Sequence, residues 1–279
     1  MSKYHVLHDQ INFEGKKIHI DIYPPKEKST GSILFLHGNI VYGKVYAEFL
    51  SRLSNRGNFN VVSFDYLGWG RSEGIRGRTT AKDILGQIKE MVQYVKEKFP
   101  EKNIAVVGHS MGGHFAFEGL IDNPELKCCV CHTIRYPGTY ANLIDRAFVN
   151  FYRFLGLVTP NRKINPLKNI VRTSTQPGRK TTYEKLLKDP RLVTTFDMKT
   201  FAQLTKVQSK NDHKTTKPVL VLVGQREENP NEIILAKKAV EALPNARLEV
   251  IERASHLLFI EEPVKTADRI GDWLVQKLM

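Results

Sequence analysis

The chain has 279 residues, 41% of them hydrophobic and 25% charged, enough for one large α/β domain with an ordinary soluble composition. No run approaches the ~18 apolar residues of a membrane-spanning helix. The opening MSKYHVLHDQ lacks the basic-then-apolar pattern of a signal peptide. The net charge of +13 is concentrated: residues 135–217 hold 17 Lys and Arg against 5 Asp and Glu, whereas the remaining 196 hold 25 against 24.

In chain order, YHVLHDQINF, a turn at EGKK, and IHIDIY predict a hairpin that Pro24 and Pro25 end. GSILFLHG (31–38) and FNVVSF (59–64) are short continuous apolar runs, typical of strands covered on both faces. From residue 79 the period changes. Ile84, Leu85, Ile88, Met91, Val92, Val95 and Phe99 form one helical face, with a Thr80/Asp83 capping box before it and Pro100 after it. NIAVVG is then a strand, MGGHFAFEGL a helix and KCCVCHTI a strand. KPVLVLVG (217–224) and ARLEVIE (246–252) are two more strands around the helix NEIILAKKAVEAL, and the C-terminal segment is helical. Strands alternating with helices predict βαβ units and a mainly parallel sheet. The interruption, residues 135–217, has short amphipathic pieces such as NLIDRAFVNFYRFLGL and is expected to be a helical cap inserted into a core of residues 1–134 and 218–279.

The segment AVVGHSMGGHFA (105–116) surrounds one serine with glycines. Ser110 falls where a strand turns directly into a helix. There a tight turn pushes the hydroxyl clear of the sheet, Gly108 and Gly112 remove clashes, and the helix start offers N–H groups to a developing oxyanion. A serine nucleophile needs a base, and the base needs an acid to hold its tautomer. His256, in the loop after the last strand, is the expected base. His37 and His109, beside glycine turns, are expected to pack and hydrogen-bond, and His114 is poorly aimed at the hydroxyl. The acid is expected after KPVLVLVG, in GQREENPNE. Glu227 lies three residues past Gly224 and is the favoured acid, with Glu228 next and Asp145 or no acid left open. The oxyanion hole needs two backbone amides, expected from Met111 and Asn39.

With HGNI, GHSMGG and ASH in this order, and with FDYLGWGRSEGIRGRTT between them, the chain resembles the α/β-hydrolase superfamily. Within it, the similarity is to monoacylglycerol lipase and lysophospholipase-like serine hydrolases. The resemblance implies Ser110, Glu227 and His256 as the triad and the Asn39 and Met111 amides as the oxyanion hole. It also implies structural roles for Asp65, Gly68, Gly70 and Gly74. The chain departs from the family in having Glu at the acid position and an unusually basic cap.

The expected activity is hydrolysis of a small-molecule carboxylic ester bearing an acyl chain, with no metal or organic cofactor. A thioester, an amide, or a fold serving only for binding are the alternatives. Leu143, Phe148, Phe151, Tyr152, Phe154 and Leu155 are expected either to line an acyl pocket or to glue the cap to the core. The cap's charge has two main readings, a solvated surface or docking to anionic lipid. No nucleic-acid recognition motif is present and no such partner is expected. Cys128, Cys129 and Cys131 are expected as reduced, buried thiols, in keeping with a cytoplasmic protein.

Overall fold

The computed structural model describes residues 4–134, 136, 140–165, 177–204, 215–227 and 229–279. Its centre is an eight-stranded sheet in the order β1-β2-β4-β3-β5-β6-β9-β10. The strands are β1 (Leu7–Phe13), β2 (Lys16–Tyr23), β3 (Gly31–Leu36), β4 (Phe59–Phe64), β5 (Ile104–His109), β6 (Leu126–His132), β9 (Val219–Gly224) and β10 (Ala246–Ile251). The expected hairpin is β1–β2, turning through Glu14 and Gly15, both at positive φ. β2 joins β4 antiparallel, and every pairing from β4 to β10 is parallel.

The continuous apolar runs are apolar because both faces are covered. Along β5, Ile104 and Val106 enter one core and Ala105 and Val107 the other, following the two-residue period of a strand. The first core is closed by α2 (Ala81–Lys98), α3 (Met111–Asp122) and α7 (Pro230–Ala242). α2 begins with the expected reciprocal Thr80/Asp83 cap. The second core is closed by α1 (Ala47–Gly57) and α9 (Pro263–Leu278), through Phe49, Leu50, Leu53, Ile270 and Leu274. Among the described residues no helix is long and apolar enough to cross a membrane.

β6 and β9 are neighbours in the sheet, so the segment between them leaves and returns without interrupting it. Its described parts are α4 (Leu143–Val158), α5 (Pro177–Leu186), α6 (Met198–Leu204) and a two-residue ribbon, β7 (Lys163–Ile164) with β8 (Phe196–Asp197). The far end of this segment is anchored to the core. Phe196 stacks on Trp69 at 5.9 Å, Arg78 Nε donates to Asp197 Oδ2 at 2.6 Å, and Tyr42 Oη donates to Asp189 Oδ2 at 2.6 Å.

α4 departs from expectation. Tyr152 and Leu155 are partly buried, and Tyr152 meets Phe201 of α6 edge-on. Leu143, Phe151 and Phe154 face outward, and Phe148 borders an open cavity of about 300 Å³ with Val149, Tyr152 and Phe201. Leu143, Phe148, Phe151 and Phe154 are each more than half exposed, as are Ile144, Leu157 and Val158. The reason is packing geometry: α4 rests on α6 along one side, with Gly156 pressed against Ala202, and its wide apolar stripe runs beyond that contact.

Candidate active site

β5 ends at His109 and α3 starts at Met111, so Ser110 alone makes the turn, at φ 55°, ψ −121°. This is a costly region for a non-glycine residue. The serine peptide is held by the next strand: Ser110 N donates to the His132 carbonyl at 2.8 Å, and Thr133 Oγ1 donates to the Ser110 carbonyl at 3.0 Å. The glycines make this packing possible. A Cβ on Gly108 would strike Gly112, one on Gly112 the carbonyls of Leu36 and His37, and one on Gly113 the carbonyl of His132.

His256 reaches the serine from the loop after β10. Its Nε2 lies 3.0 Å from Ser110 Oγ and its Nδ1 3.0 Å from Glu227 Oε1. Glu227 hangs from the turn after β9, where Arg226 N donates to the Ala254 carbonyl at 2.8 Å and Glu227 N to the Gly224 carbonyl at 3.1 Å. Gly224 lets the two loops meet, because a Cβ there would lie 2.5 Å from the Ala254 carbonyl oxygen. On the other side of His256, Ser255 Oγ donates to Glu261 Oε2 at 2.6 Å and accepts from Leu257 N at 3.1 Å.

Glu227 is almost fully buried. Burial works to raise its pKa, but the facing imidazoles of His256 and His132 outweigh it and hold the carboxyl well below the usual carboxylate range. An ionised Glu227 accepts from His256 Nδ1–H and so leaves Nε2 as the acceptor for the Ser110 hydroxyl. That is the tautomer in which an imidazole can take a proton from serine.

Met111 is the first residue of α3, so its N–H has no intrahelical carbonyl to reach. Asn39 follows Gly38, whose α-carbon packs against His109: a Cβ there would lie 3.1 Å from His109 Nδ1. The Asn39 carbonyl is taken by the Trp69 indole N–H. Asp145 lies in the first turn of α4, where it accepts from Ala141 N at 3.1 Å and donates its own N–H to the capping Asn142 side chain, and is not the carboxylate at His256. Glu228 lies outside the described residues. Asp65 is structural, accepting from Gly43 N and Arg71 N at 2.8 and 2.9 Å. Gly68, Gly70 and Gly74 in the loop after it all have positive φ.

His37 and His109 serve as scaffolding. His37 Nε2 accepts from Tyr66 N at 3.1 Å, so its Nδ1–H donates to the Gly38 carbonyl at 2.8 Å; burial lowers its pKa to about 4 and keeps it neutral. Gly38 N donates to Tyr46 Oη, whose hydroxyl then donates to His109 Nδ1 at 2.7 Å, and His109 Nε2–H donates to the His256 carbonyl at 2.8 Å. One chain of hydrogen bonds thus ties the loop after β3, the end of β5 and the loop carrying His256. Burial, and then His132, push the His109 pKa well down. His132 itself carries no motif in the sequence. It ends a buried apolar strand run, yet its ring stacks on His109 at 4.8 Å and meets His256 edge-on at 4.8 Å. Its place at the carboxyl end of a strand beside the strand that leads into Ser110 was the available signal.

The comparisons agree with this architecture. Residues 27–263 match the family described as "Serine aminopeptidase, S33". A "Monoglyceride lipase homolog" of Monkeypox virus is 24% identical over 274 residues, covering 96% of this chain and 97% of that one. A "Proline iminopeptidase" of Saccharolobus solfataricus is 26% identical over 297 residues, covering 94% and 90%. A soluble variant of monoglyceride lipase from Saccharomyces cerevisiae, solved in complex with a substrate analogue, superposes with a TM-score of 0.76 at 19% identity, covering 99% and 98%. The family match spans most of the chain, and the chain therefore belongs to the serine aminopeptidase S33 family of α/β-hydrolases and is a serine hydrolase.

Proposed function

We propose that the chain cleaves carboxylic esters of the monoacylglycerol or lysophospholipid type through a Ser110–His256–Glu227 triad. One observation carries this reading: His256 lies 3.0 Å from the Ser110 hydroxyl on one ring nitrogen and 3.0 Å from the Glu227 carboxylate on the other. Ser110 Oγ attacks the ester carbonyl as its proton passes to His256 Nε2, and Glu227 steadies the imidazolium formed. The amides of Asn39 and Met111 receive the tetrahedral oxyanion, each contributing about 3 kcal/mol in sites of this kind. Collapse breaks the bond to the alcohol, which leaves with the proton from His256. Water, deprotonated by His256, then hydrolyses the acyl-enzyme.

A fluorophosphonate probe should label the wild type and not Ser110→Ala. Absence of label on both would make this a binding protein. Glycerol esters of graded acyl length, with matched thioesters and anilides, then fix the substrate class. Preference for the anilide would favour the amidase reading, which the proline iminopeptidase relative keeps in view.

Residues 135–217 are assigned to a cap over the serine, and 1–134 with 218–279 to the core. The exposed apolar stripe of α4, on the segment that holds nearly all the excess positive charge, supports docking of the cap on an anionic lipid surface from which substrate is drawn. Sedimentation with anionic and neutral vesicles tests it: binding indifferent to headgroup charge and to salt would refute it. The free, buried thiols of Cys128, Cys129 and Cys131 suit a cytoplasmic setting.

A further inference from the structure

We propose that His132 is a positioning residue for the triad acid: it holds the second carboxylate oxygen of Glu227 while the first serves His256. The inference rests on the triad reading above and adds a fourth side chain to it.

Glutamate reaches one methylene further than aspartate from a turn that is firmly pinned. Its carboxyl group therefore arrives deep between the ends of β6 and β9, with its side chain only 1% exposed. Oε1 accepts from His256 Nδ1. Oε2 is buried with no hydrogen bond inside normal limits, and it faces His132 Nε2 at 3.6 Å. A buried carboxylate oxygen without a donor is costly. A modest inward movement brings an imidazole N–H within range of it, and no other side chain forms an ion pair with Glu227 from that side among the described residues.

The imidazole is well placed for this work. His132 is fully buried, and its ring lies nearly parallel to His109 at 10°, edge-on to His256 and against Phe259 of α8 (Leu258–Glu261). His109 cannot move aside, being held at both ring nitrogens. Among the described residues, those facing His132 include His109 from β5, Glu227 from the loop after β9 and His256 from the loop after β10, with apolar Phe259 from α8.

The backbone behind it is also fixed. The His132 carbonyl accepts from Ser110 N, and Thr133 sits at φ 63°, an unfavourable region for a β-branched residue, while its hydroxyl donates to the Ser110 carbonyl. The strained segment that clamps the serine peptide therefore also aims the ring at Glu227. Its effect is to keep Glu227 ionised and in place, so that His256 retains the tautomer its role requires.

The test uses the full chain with two substitutions. His132→Leu removes the donor and keeps bulk; His132→Asn restores a donor. Fluorophosphonate labelling and ester turnover are followed from pH 4 to 9. We expect His132→Leu to lower kcat about tenfold with KM unchanged, and to move the acid limb of the profile upward by about one pH unit. His132→Asn should recover part of both. A leucine variant with the wild-type profile would overturn the proposal, as would an asparagine variant no better than leucine. His132→Phe takes the place of leucine should leucine leave the chain unfolded, and is judged by the same outcomes. Loss of labelling in the wild type itself would instead overturn the triad reading, and this proposal with it.

Discussion

Replacing Glu227 by aspartate, the shorter acid that the family pattern carries at this position, should damage the enzyme. The turn holding residue 227 cannot slide forward. Gln225 N and Arg226 N are bonded to the Ile251 and Ala254 carbonyls at 3.0 and 2.8 Å, and Gly224 is already in close contact with residues 254 and 255. Removing one methylene withdraws the carboxylate by roughly 1.5 Å, one carbon–carbon bond. The 3.0 Å contact between Oε1 and His256 Nδ1 then opens to beyond hydrogen-bonding distance. A hydrogen bond to a charged group contributes about 1.5–3 kcal/mol, so kcat should fall by about 10- to 100-fold. The substrate pocket is untouched, so KM should hold. Steady-state hydrolysis of a chromogenic acyl ester by Glu227→Asp, alongside fluorophosphonate labelling rates, provides the measurement. An aspartate variant with the wild-type kcat would mean that the loop is free to follow the side chain, and the argument from a pinned turn would fail.

Three further outcomes follow from the structure. Gly112→Ala should abolish labelling of Ser110 and lower the thermal midpoint, because its methyl group would meet the carbonyls of Leu36 and His37 and push the loop after β3 away from the serine; a stable, fully labelled variant would contradict this. Asp21 is buried, which alone would raise its pKa, but hydrogen bonds from His19 and Arg71 bring it down to about 2. The folded state therefore binds this proton more weakly than the unfolded chain, and the stability Asp21 contributes is present above about pH 4 and lost between about pH 4 and 2, so urea midpoints of the wild type should drop more over that range than those of Asp21→Asn. Phe151→Glu with Leu157→Glu changes two exposed positions, so its unfolding midpoint should stay within experimental scatter of the wild type while sedimentation with anionic vesicles falls several-fold; unchanged sedimentation would remove α4 from the docking surface.

Much of the fold was legible because its strands are buried on both sides and so appear as unbroken apolar runs, as in ILFL, VVSF and VLVLV. α1 was equally readable, with Phe49, Leu50 and Leu53 on one face. The Ser110 turn and the loop of His256 announce themselves through local chemistry, since glycines are needed where chains touch. His132 does not: a histidine inside KCCVCHTI looks like any polar residue at a strand end, and only the register of β6 beside β5, His109 opposite His132, puts its ring in the cluster. The outward-facing apolar stripe of α4 could not be read either, because helical periodicity fixes which residues share a face and says nothing of what that face meets.

The serine and the histidine that faces it are separated by 146 positions, with strands β6, β9 and β10 laid down between them. A chain emerging from the ribosome thus completes the Ser110 turn long before His256 exists, and on the proposed triad it would stay chemically silent until the final strand has docked at the sheet edge. Truncation ahead of residue 256 would leave the Ser110 hydroxyl without the imidazole that faces it, so probe labelling would double as a report that translation had passed that point.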